Sequence, residues 1–299
     1  MHIFSIIIPH HDIPALLQRC LDSIPDVPEV QVIVVDDNSS SQKMDFEHFP
    51  GLDRKNTLCI LDKDGGGAGH ARNIGLRHAD GKWLVFADAD DFFTKDAFHI
   101  LDSHKDDPYD ILLFKADSVN SDDLSPADRF ADLNDAIDDA LAGKTDNKTV
   151  ILSRPGPVCK MFRRTYIQQK DIWFDEIMAS NDLMFVFKAT CWAEANAVAV
   201  FDETLYTVTT RRGSLVEERK TNPDNYLCRM EVQIRRNKFL KDYPQFRKEP
   251  IIVWFTRSRR FGIKTFLRAL WLIIRKGAVF SGFGTFMKSV KDHIVRNKQ

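Results

Sequence analysis

The chain has 299 residues, 43% of them hydrophobic, which is enough to bury a substantial core in one large domain or in one domain with an appendage. Its five cysteines are odd in number and include no Cys-x-x-Cys pair, which argues against a disulfide framework and a cysteine-bound zinc and is typical of a reducing cytosol. No uncharged apolar stretch reaches the ~20 residues needed to cross a bilayer, and the start lacks the features of a signal peptide, so we expect a cytoplasmic protein.

Charge is distributed unevenly along the chain. The net charge at pH 7 is −1, yet from Arg235 onward there are 17 Lys and Arg against 3 Asp and Glu, a balance of +14. A basic end of this kind predicts contact with an anionic surface, either a membrane leaflet or a nucleic acid.

Strand and helix signals alternate through the first third of the chain. The apolar residues 3–8 predict a strand, Asp12 and Pro14 open a helix, and the β-branched run 30–35 is typical of a strand buried in a parallel sheet. We predict further strands over 57–61, 83–87, 109–114 and 197–209, and helices over 70–79, 158–168 and 182–192.

The alternating order predicts an α/β fold, with an open, twisted, mostly parallel sheet flanked by helices and a helical extension after Asn222. We expect a catalytic domain over 1–220 and a basic helical region over 221–299.

Polar clusters stand where the predicted strands end, which is where open α/β sheets bind ligands. They are Asp36 to Ser39, the glycine loop 65–69 with Arg72 in the helix after it, Asp88 to Asp91, and Asn181-Asp182. The glycine loop has neither the P-loop spacing of nucleoside triphosphatases nor the Rossmann spacing at its start. Arg72 carries the fork of donors that binds phosphate or carboxylate.

The pair Asp88 and Asp90 is suited to a divalent cation. In an extended segment the two side chains point to the same side, and Mn²⁺ or Mg²⁺ prefers oxygen ligands. Taken alone, three acids after a strand more often form a turn and a helix N-cap. The accompanying clusters at the other strand ends favour the metal site.

The ordered series of motifs resembles the family 2 glycosyltransferases of the GT-A fold. The resemblance is strong over residues 3–95, becomes weaker to about 215, and does not cover the remainder. The motifs that carry it are Ser5-Ile-Ile-Ile-Pro9, Val34-Val-Asp-Asp-Asn-Ser39, Gly67-Ala-Gly-His-Ala-Arg-Asn-Ile-Gly75 and Gly81-Lys-Trp-Leu-Val-Phe-Ala-Asp-Ala-Asp-Asp91.

This resemblance implies a role for eight positions in binding a nucleotide-sugar donor and transferring its sugar. They are Pro9 and His11 in the nucleotide pocket, Asp37 at the base, Arg72 and Arg212 at the diphosphate, Asp88 at the ribose, Asp90 at the metal, and Asp182 as the general base.

The sequence departs from the family pattern at His11 and at Asn181. His11 stands where relatives carry a tyrosine, so it stacks on the base or is an exposed histidine without a ligand. Asn181 replaces the glutamate of a Glu-Asp pair, and Ser180, Asn181 or Asp182 could instead cap the helix that follows. A carboxylate at 182 has the chemistry to take a proton from an acceptor hydroxyl.

The function that follows is inverting transfer of one sugar from a nucleoside-diphosphate sugar, with UDP expected, onto a glycan or lipid-linked acceptor. The resemblance to bacterial envelope enzymes implies cell-surface polysaccharide synthesis, such as lipopolysaccharide. The Gln-x-x-Arg-Trp signature of processive synthases is absent from the sequence. The alternative is a catalytically silent, membrane-attached protein that binds a nucleotide sugar or a partner enzyme, which the altered Asn181 favours. A nucleotidyltransferase is disfavoured, because it would need a basic glycine-rich loop directly after the first strand and the sequence has none there.

The basic end contains a predicted amphipathic helix over 257–275. Its basic face comprises Arg257, Arg260, Lys264, Arg268 and Arg275, and apolar residues from Ile263 to Ile274 occupy the other face. Such a helix predicts peripheral binding to the cytoplasmic face of an anionic membrane, or simple packing on the catalytic domain. Nucleic-acid binding is not expected, because the basic residues accompany an apolar stripe on the same helix and the rest of the chain is acidic.

Overall fold

The structure is a computed structural model that describes residues 2–211 and 221–278. The chain divides into two compact units, one of residues 2–177 and 181–211, and the other of residues 178–180 and 221–278. The first unit contains the sheet and the candidate site. Within the described ranges, no helix is both long and apolar enough to cross a membrane.

The first unit is built on one sheet of eight strands, in the order β3-β2-β1-β4-β7-β6-β8-β5. Four of the seven strand pairs are parallel and three are antiparallel, so the sheet is mixed, and the parallel pairs include the whole β3-β2-β1-β4 half. The strands are β1 Phe4–His10, β2 Val30–Asp37, β3 Thr57–Asp62, β4 Trp83–Phe86, β5 Phe92–Phe93, β6 Ile111–Asn120, β7 Lys160–Arg163 and β8 Val198–Thr210.

Helices flank this sheet, as the alternating sequence signals predict. Those of the first unit are α1 Pro14–Asp22, α2 Gly67–His78, α3 Ala97–Ser103, α4 Ala131–Leu141, α5 Asn147–Ser153, α6 Arg164–Gln169 and α7 Leu183–Trp192, with a short 3₁₀ turn at Ala195–Ala197. The second unit contains α8 Pro223–Phe239, α9 Ile251–Arg257 and α10 Ile263–Arg275. Asn222 caps α8 by accepting hydrogen bonds from the backbone N–H groups of Asp224 and Asn225.

The central strands are buried on both faces, which explains their continuous apolar sequence. Ile6, Ile7 and Ile8 of β1 are all 0% exposed. Helix α2 packs directly on this strand: a Cβ added at Gly75 would lie 2.4 Å from the Cγ2 of Ile7, so only glycine permits this approach. The α2 helix and the ends of β1, β2 and β4 therefore have fixed relative positions.

Two predicted helices are wrong in part. Residues 160–163 of the predicted helix 158–168 form strand β7, which lies between β4 and β6, and only Arg164–Gln169 is helical. Cys159 has a φ of 61°, which a helix does not allow, and insertion between two strands satisfies the backbone of the buried Met161 and Phe162.

The predicted helix 257–275 is interrupted. Helix α9 ends at Arg257, a 3₁₀ turn covers Ser258–Phe261, and Gly262 has a φ of 89° before α10 begins. Glycine adopts this conformation without steric strain. Arg257 and Arg260 therefore do not lie on the helix that carries Lys264, Arg268 and Arg275.

Candidate active site

The polar clusters meet because their strands are parallel neighbours. Strand β1 pairs with β2 so that His10 lies opposite Asp36, and on its other side β1 pairs with β4. Asp88 follows the end of β4 by two residues. The carboxyl ends of these three strands consequently share one edge of the sheet, where ligands bind in open α/β folds.

A buried hydrogen-bond network joins the loops after β1 and β2. His10 Nδ1 lies 2.7 Å from Asp36 Oδ1, and Ser39 donates to Asp36 from both its Oγ and its backbone N–H. The Ser39 Oγ also accepts from the backbone N–H of Asp12. Burial alone would raise the pKa of Asp36, but the hydrogen bonds from His10 and Ser39 outweigh it and hold that pKa below its ordinary value.

The predicted nucleotide-pocket residues surround this network. Pro9 lies in β1 opposite Val35, and His11 is exposed, with its Nδ1 donating to the backbone carbonyl of Asp37 at 2.8 Å. The Asp37 carboxylate accepts from the backbone N–H of Gly67 at 3.0 Å, which attaches the glycine loop to the end of β2. The structure thus places Pro9, His11 and Asp37 together at the carboxyl ends of β1 and β2.

Arg72 joins the two halves of the site. Its Nη2 donates to Asp88 Oδ1 at 2.6 Å, its Nη1 donates to Asn181 Oδ1 at 3.1 Å, and its side chain is only 7% exposed. The guanidinium also lies over the Phe174 ring, 5.4 Å from the centroid. One arginine therefore contacts both the Asp88 segment and the segment that leads to Asp182.

The segment before Asn181 is attached to α2 by a close backbone approach. Asn73 bonds the backbone of Phe174 at both its N–H and its carbonyl group. A Cβ added at Gly69 would lie 2.1 Å from the carbonyl oxygen of Asp175, so no other residue fits there without a shift. Helix α2 therefore positions Asn181 as well as Arg72.

The three aspartates after β4 have different environments. Asp91 is buried and accepts from the Thr209 N–H, and its pKa is raised well above the ordinary value by burial and by the charges of Asp88 and Asp90. The side chains of Asp88 and Asp90 are 41% and 27% exposed and face the solvent at the sheet edge. Asp91 is thus a structural residue, and the other two are accessible to a ligand.

The Asp90 segment is held by several donors. Arg211 Nε donates to Asp90 Oδ2 at 3.0 Å, and the backbone carbonyl of Asp90 accepts from Arg19 at 2.7 Å and from the Thr209 hydroxyl at 2.8 Å. The Asp88 N–H donates to the Tyr206 hydroxyl at 2.9 Å. The backbone is fixed while the carboxylates remain accessible.

Asp88 and Asp90 fit a divalent cation by the chemistry of their donors. Within the described residues, no hydrogen bond engages Asp88 Oδ2 or Asp90 Oδ1, and hard cations bind such carboxylate oxygens. A second group of potential metal ligands is formed by Asp62, Asp64 and His70, whose ligand atoms lie within 4.8 Å of one another.

Asp182 occupies the N-cap position of α7 without capping it. Its side chain makes no capping hydrogen bond, although its backbone carbonyl accepts from Val186 at 3.2 Å. A Cβ added at Gly156 would lie 3.9 Å from Asp182 Oδ2. The carboxylate is therefore directed toward the loop 154–158 rather than the end of its own helix.

Comparison with protein-family models shows which family the chain belongs to. Residues 5–169, more than half of the chain, match the model of "Glycosyl transferase family 2". The chain belongs to glycosyl transferase family 2.

Two curated relatives of this family 2 chain are bacterial. The chain is 28% identical over 233 residues to the poly(ribitol-phosphate) beta-N-acetylglucosaminyltransferase TarS of Staphylococcus aureus (strain MW2), covering 75% of this chain and 38% of TarS. It is 27% identical over 234 residues to a poly(ribitol-phosphate) beta-glucosyltransferase of Bacillus spizizenii, covering 76% of this chain and 35% of that protein. The chain thus spans less than two-fifths of the length of these relatives.

Solved structures show the same fold. The crystal structure of S. aureus TarS 1-349 in complex with UDP-GlcNAc superposes with a TM-score of 0.57 at 24% identity, covering 78% of this chain and 65% of that one. The mannosyltransferase PcManGT from Pyrobaculum calidifontis, in complex with GDP-Man and Mn²⁺, superposes with a TM-score of 0.53 at 13% identity, covering 98% and 80%. The expected GT-A fold and family are confirmed.

Most of the predicted site residues of this family 2 chain lie at one edge of its sheet. Arg212 lies outside the described residues, and the neighbouring Arg211 is the cation that contacts Asp90. Sequence reasoning missed the contact of Asn181 with Arg72 and the support of Asp88 by Tyr206. Neither contact is indicated by a local feature of the sequence, since each joins segments more than 100 residues apart.

Proposed function

We propose that residues 1–220 form the catalytic domain of an inverting glycosyltransferase that moves a single sugar from a UDP-sugar to a hydroxyl of a bacterial cell-surface polymer. The observation that carries the proposal is the position of Arg72, which contacts both Asp88 and Asn181. A donor diphosphate bound there would lie between the acidic pair and Asp182. Residues 221–299 are proposed as a separate basic helical region.

Donor binding is assigned to the edge of the parallel strands. Asp37 would contact the base, with Pro9 and His11 lining its pocket, and Arg72 would bind the diphosphate. Solved TarS structures in complex with UDP and with UDP-GlcNAc support a UDP-sugar. Asp90 would hold Mn²⁺ or Mg²⁺ and Asp88 the ribose or a metal-bound water, and such a cation supplies Lewis-acid stabilisation of the leaving diphosphate. Arg72 adds positive charge at the same position.

Acceptor activation is assigned to Asp182. A general base must lie within hydrogen-bond reach of the hydroxyl that loses its proton. The names of the relatives support a polyol-phosphate polymer as the acceptor class. A lipid-linked glycan is the other acceptor expected from the sequence.

The experiment is a UDP-release assay with UDP-N-acetylglucosamine or UDP-glucose, Mn²⁺ and a ribitol-phosphate oligomer. We expect Asp182→Asn to lower turnover by about 100-fold or more and to leave UDP binding intact, because general-base catalysis contributes that much. Asp90→Ala should abolish the dependence of UDP affinity on Mn²⁺.

His70→Ala is the matched control, because it removes a ligand from the second possible metal group. It should leave the Mn²⁺ dependence unchanged. Undiminished transfer by both Asp182→Asn and Asp90→Ala would refute the mechanism. Binding of UDP without turnover by the wild type would favour the silent nucleotide-sugar-binding protein.

The basic helical region is proposed to bind an anionic membrane surface peripherally, on the cytoplasmic side. Helix α10 exposes a stripe of large apolar side chains beside basic ones, and this combination is typical of interfacial helices. The stripe comprises Ile263, Leu267, Leu270, Trp271 and Ile274, which are 38–71% exposed.

Charge supports an anionic leaflet rather than a neutral one. Lys264, Arg268 and Arg275 are exposed on α10, and Arg275 lies over the Trp271 ring. We expect sedimentation with phosphatidylglycerol vesicles but not with pure phosphatidylcholine vesicles. Trp271→Glu should abolish it, whereas Thr256→Glu, an exposed position on α9, should only weaken it. Equal sedimentation of the wild type and Trp271→Glu would refute this assignment.

A further inference from the structure

Lys160 is a buried cation with an unusual set of partners. It begins β7, opposite Leu113 of β6, and is 1% exposed. A buried ammonium normally requires a carboxylate partner, since the loss of hydration is costly. Within residues 2–211 and 221–278, the hydrogen bonds of its Nζ all go to backbone carbonyls and none goes to a carboxylate.

The partners of Lys160 are three backbone carbonyls of one short loop. Its Nζ donates to the carbonyl oxygens of Gly156 at 2.7 Å, Arg154 at 3.2 Å and Val158 at 3.4 Å. An ammonium carries three N–H donors, and all of them are directed at the loop 154–158. The side chain therefore holds this loop as an internal clamp.

The loop itself is stiff. Pro155 and Pro157 flank Gly156 and fix two of its backbone torsions. At its start, Arg154 forms an ion pair with Asp132 of α4 and donates to the Arg129 carbonyl at 3.0 Å. The two prolines and the contacts at Arg154 and Lys160 together restrict the conformation of this loop.

The middle of the loop faces the proposed base. Among the described residues, the atom nearest to a Cβ built at Gly156 is Asp182 Oδ2, at 3.9 Å. Lys160 therefore reaches the Asp182 carboxylate through a single residue, Gly156, whose carbonyl it binds. The charges of Lys160 and Asp182 also interact, while burial lowers the pKa of Lys160 to about 8.

We propose that Lys160 is a positioning residue for the transfer reaction, which holds the loop 154–158 against Asp182 and so fixes the base and the adjoining wall of the acceptor site. This inference rests on the proposed function, because it takes Asp182 as the group that accepts the proton of the acceptor hydroxyl. Because Gly156 has no side chain, it adds no atoms beside the Asp182 carboxylate.

The test is a double-mutant cycle of Lys160→Met and Asp182→Asn in the UDP-release assay, with UDP-N-acetylglucosamine and a ribitol-phosphate oligomer. Methionine has nearly the same length but donates to no carbonyl. We expect Lys160→Met to lower kcat by about 100-fold, the effect of a displacement of about 1 Å, with unchanged affinity for UDP and Mn²⁺. In the Asp182→Asn background the same substitution should have almost no further effect.

Lys188→Met is the matched control, since it removes one lysine charge from α7, where Lys188 lies 6.0 Å from the Trp192 ring centroid. Its kcat should equal that of the wild type. The inference is overturned if Lys160→Met has the kcat of this control. It is also overturned if the kcat losses of Lys160→Met and Asp182→Asn multiply in the double variant. If Asp182→Asn itself transfers sugar at the wild-type rate, the base assignment of the proposed function fails, whatever Lys160 does.

Gly156→Val provides a second test that leaves Lys160 in place, because loss of a buried lysine can unfold a domain. A branched side chain there would enter the space beside Asp182 Oδ2. We expect the KM for the ribitol-phosphate oligomer to rise about tenfold or more, with UDP affinity unchanged. An unchanged KM would show that the loop does not border the acceptor site and would overturn the inference.

Discussion

Because the ammonium of Lys160 is buried, we predict that the free energy of unfolding depends on pH in a way that is independent of catalysis. Burial lowers the pKa of Lys160 from its ordinary value of 10.5 to about 8 in the folded chain. Between these two pH values the unfolded chain holds the proton and the folded chain has lost it. The free energy of unfolding must therefore rise with pH across this window, because the unfolded state binds more protons.

The magnitude follows from the two pKa values. One pKa unit corresponds to about 1.4 kcal/mol, so the contribution of Lys160 should increase by about 2.5 kcal/mol from pH 7 to pH 10. Below pH 7 both states are protonated and the cost of burial is constant. Many other groups titrate in the same range, but they contribute equally to a variant that lacks only the ammonium.

The assay is urea denaturation of the wild type and Lys160→Met at intervals from pH 7 to pH 10. The difference between their free energies of unfolding should change by about 2.5 kcal/mol in favour of the wild type as the pH rises. A difference that stays constant with pH would mean that Lys160 keeps its ordinary pKa. A difference that changes in the opposite direction would mean that a carboxylate stabilises the ammonium, and both results would refute the burial argument.

Two further predictions concern the support of the site. Gly69→Ala should destabilise the fold by about 1–3 kcal/mol in urea denaturation, because its Cβ would lie 2.1 Å from the Asp175 carbonyl oxygen. Gly156→Ala is its control, because in the part of the chain that the structure describes a Cβ there would meet no atom closer than 3.9 Å. Equal urea midpoints for the two variants would contradict the close approach at Gly69. Tyr206→Phe removes the acceptor of the Asp88 N–H. It should lower the free energy of unfolding by about 1–3 kcal/mol and weaken the affinity for UDP. Wild-type stability and affinity in this variant would exclude such support.

The N-terminal half of the sheet was predictable because its strands are buried on both faces. The β-branched run 30–35 and the apolar residues 3–8 appear as strands β2 and β1 with small differences at their ends. The antiparallel strand β7 was not predictable in the same way. Its four residues, Lys-Met-Phe-Arg, carry no strand periodicity, and their position between β4 and β6 depends on partners more than 40 residues away.

The candidate site was predictable only as a set of strand-end clusters. The order of Asp37, Arg72 and Asp88 along the chain indicated one ligand-binding edge, because parallel strands end together. The contact between Arg72 and Asn181 spans 109 residues and depends on the backbone approach of α2 at Gly69. A single sequence contains no signal for contacts of that kind, nor for the Lys160 ammonium, since a lysine in a strand is normally exposed.

The pairing of both accessible aspartates with arginines has a consequence for the order of ligand addition. Arg72 neutralises Asp88 and Arg211 neutralises Asp90, so a bare cation arriving at this edge must displace or oppose two positive charges. A diphosphate arriving with the cation offers both arginines a new anionic partner. Metal and nucleotide should therefore bind with positive thermodynamic coupling, each raising the affinity for the other by the same factor, and calorimetry should detect Mn²⁺ binding at this edge only when UDP is present.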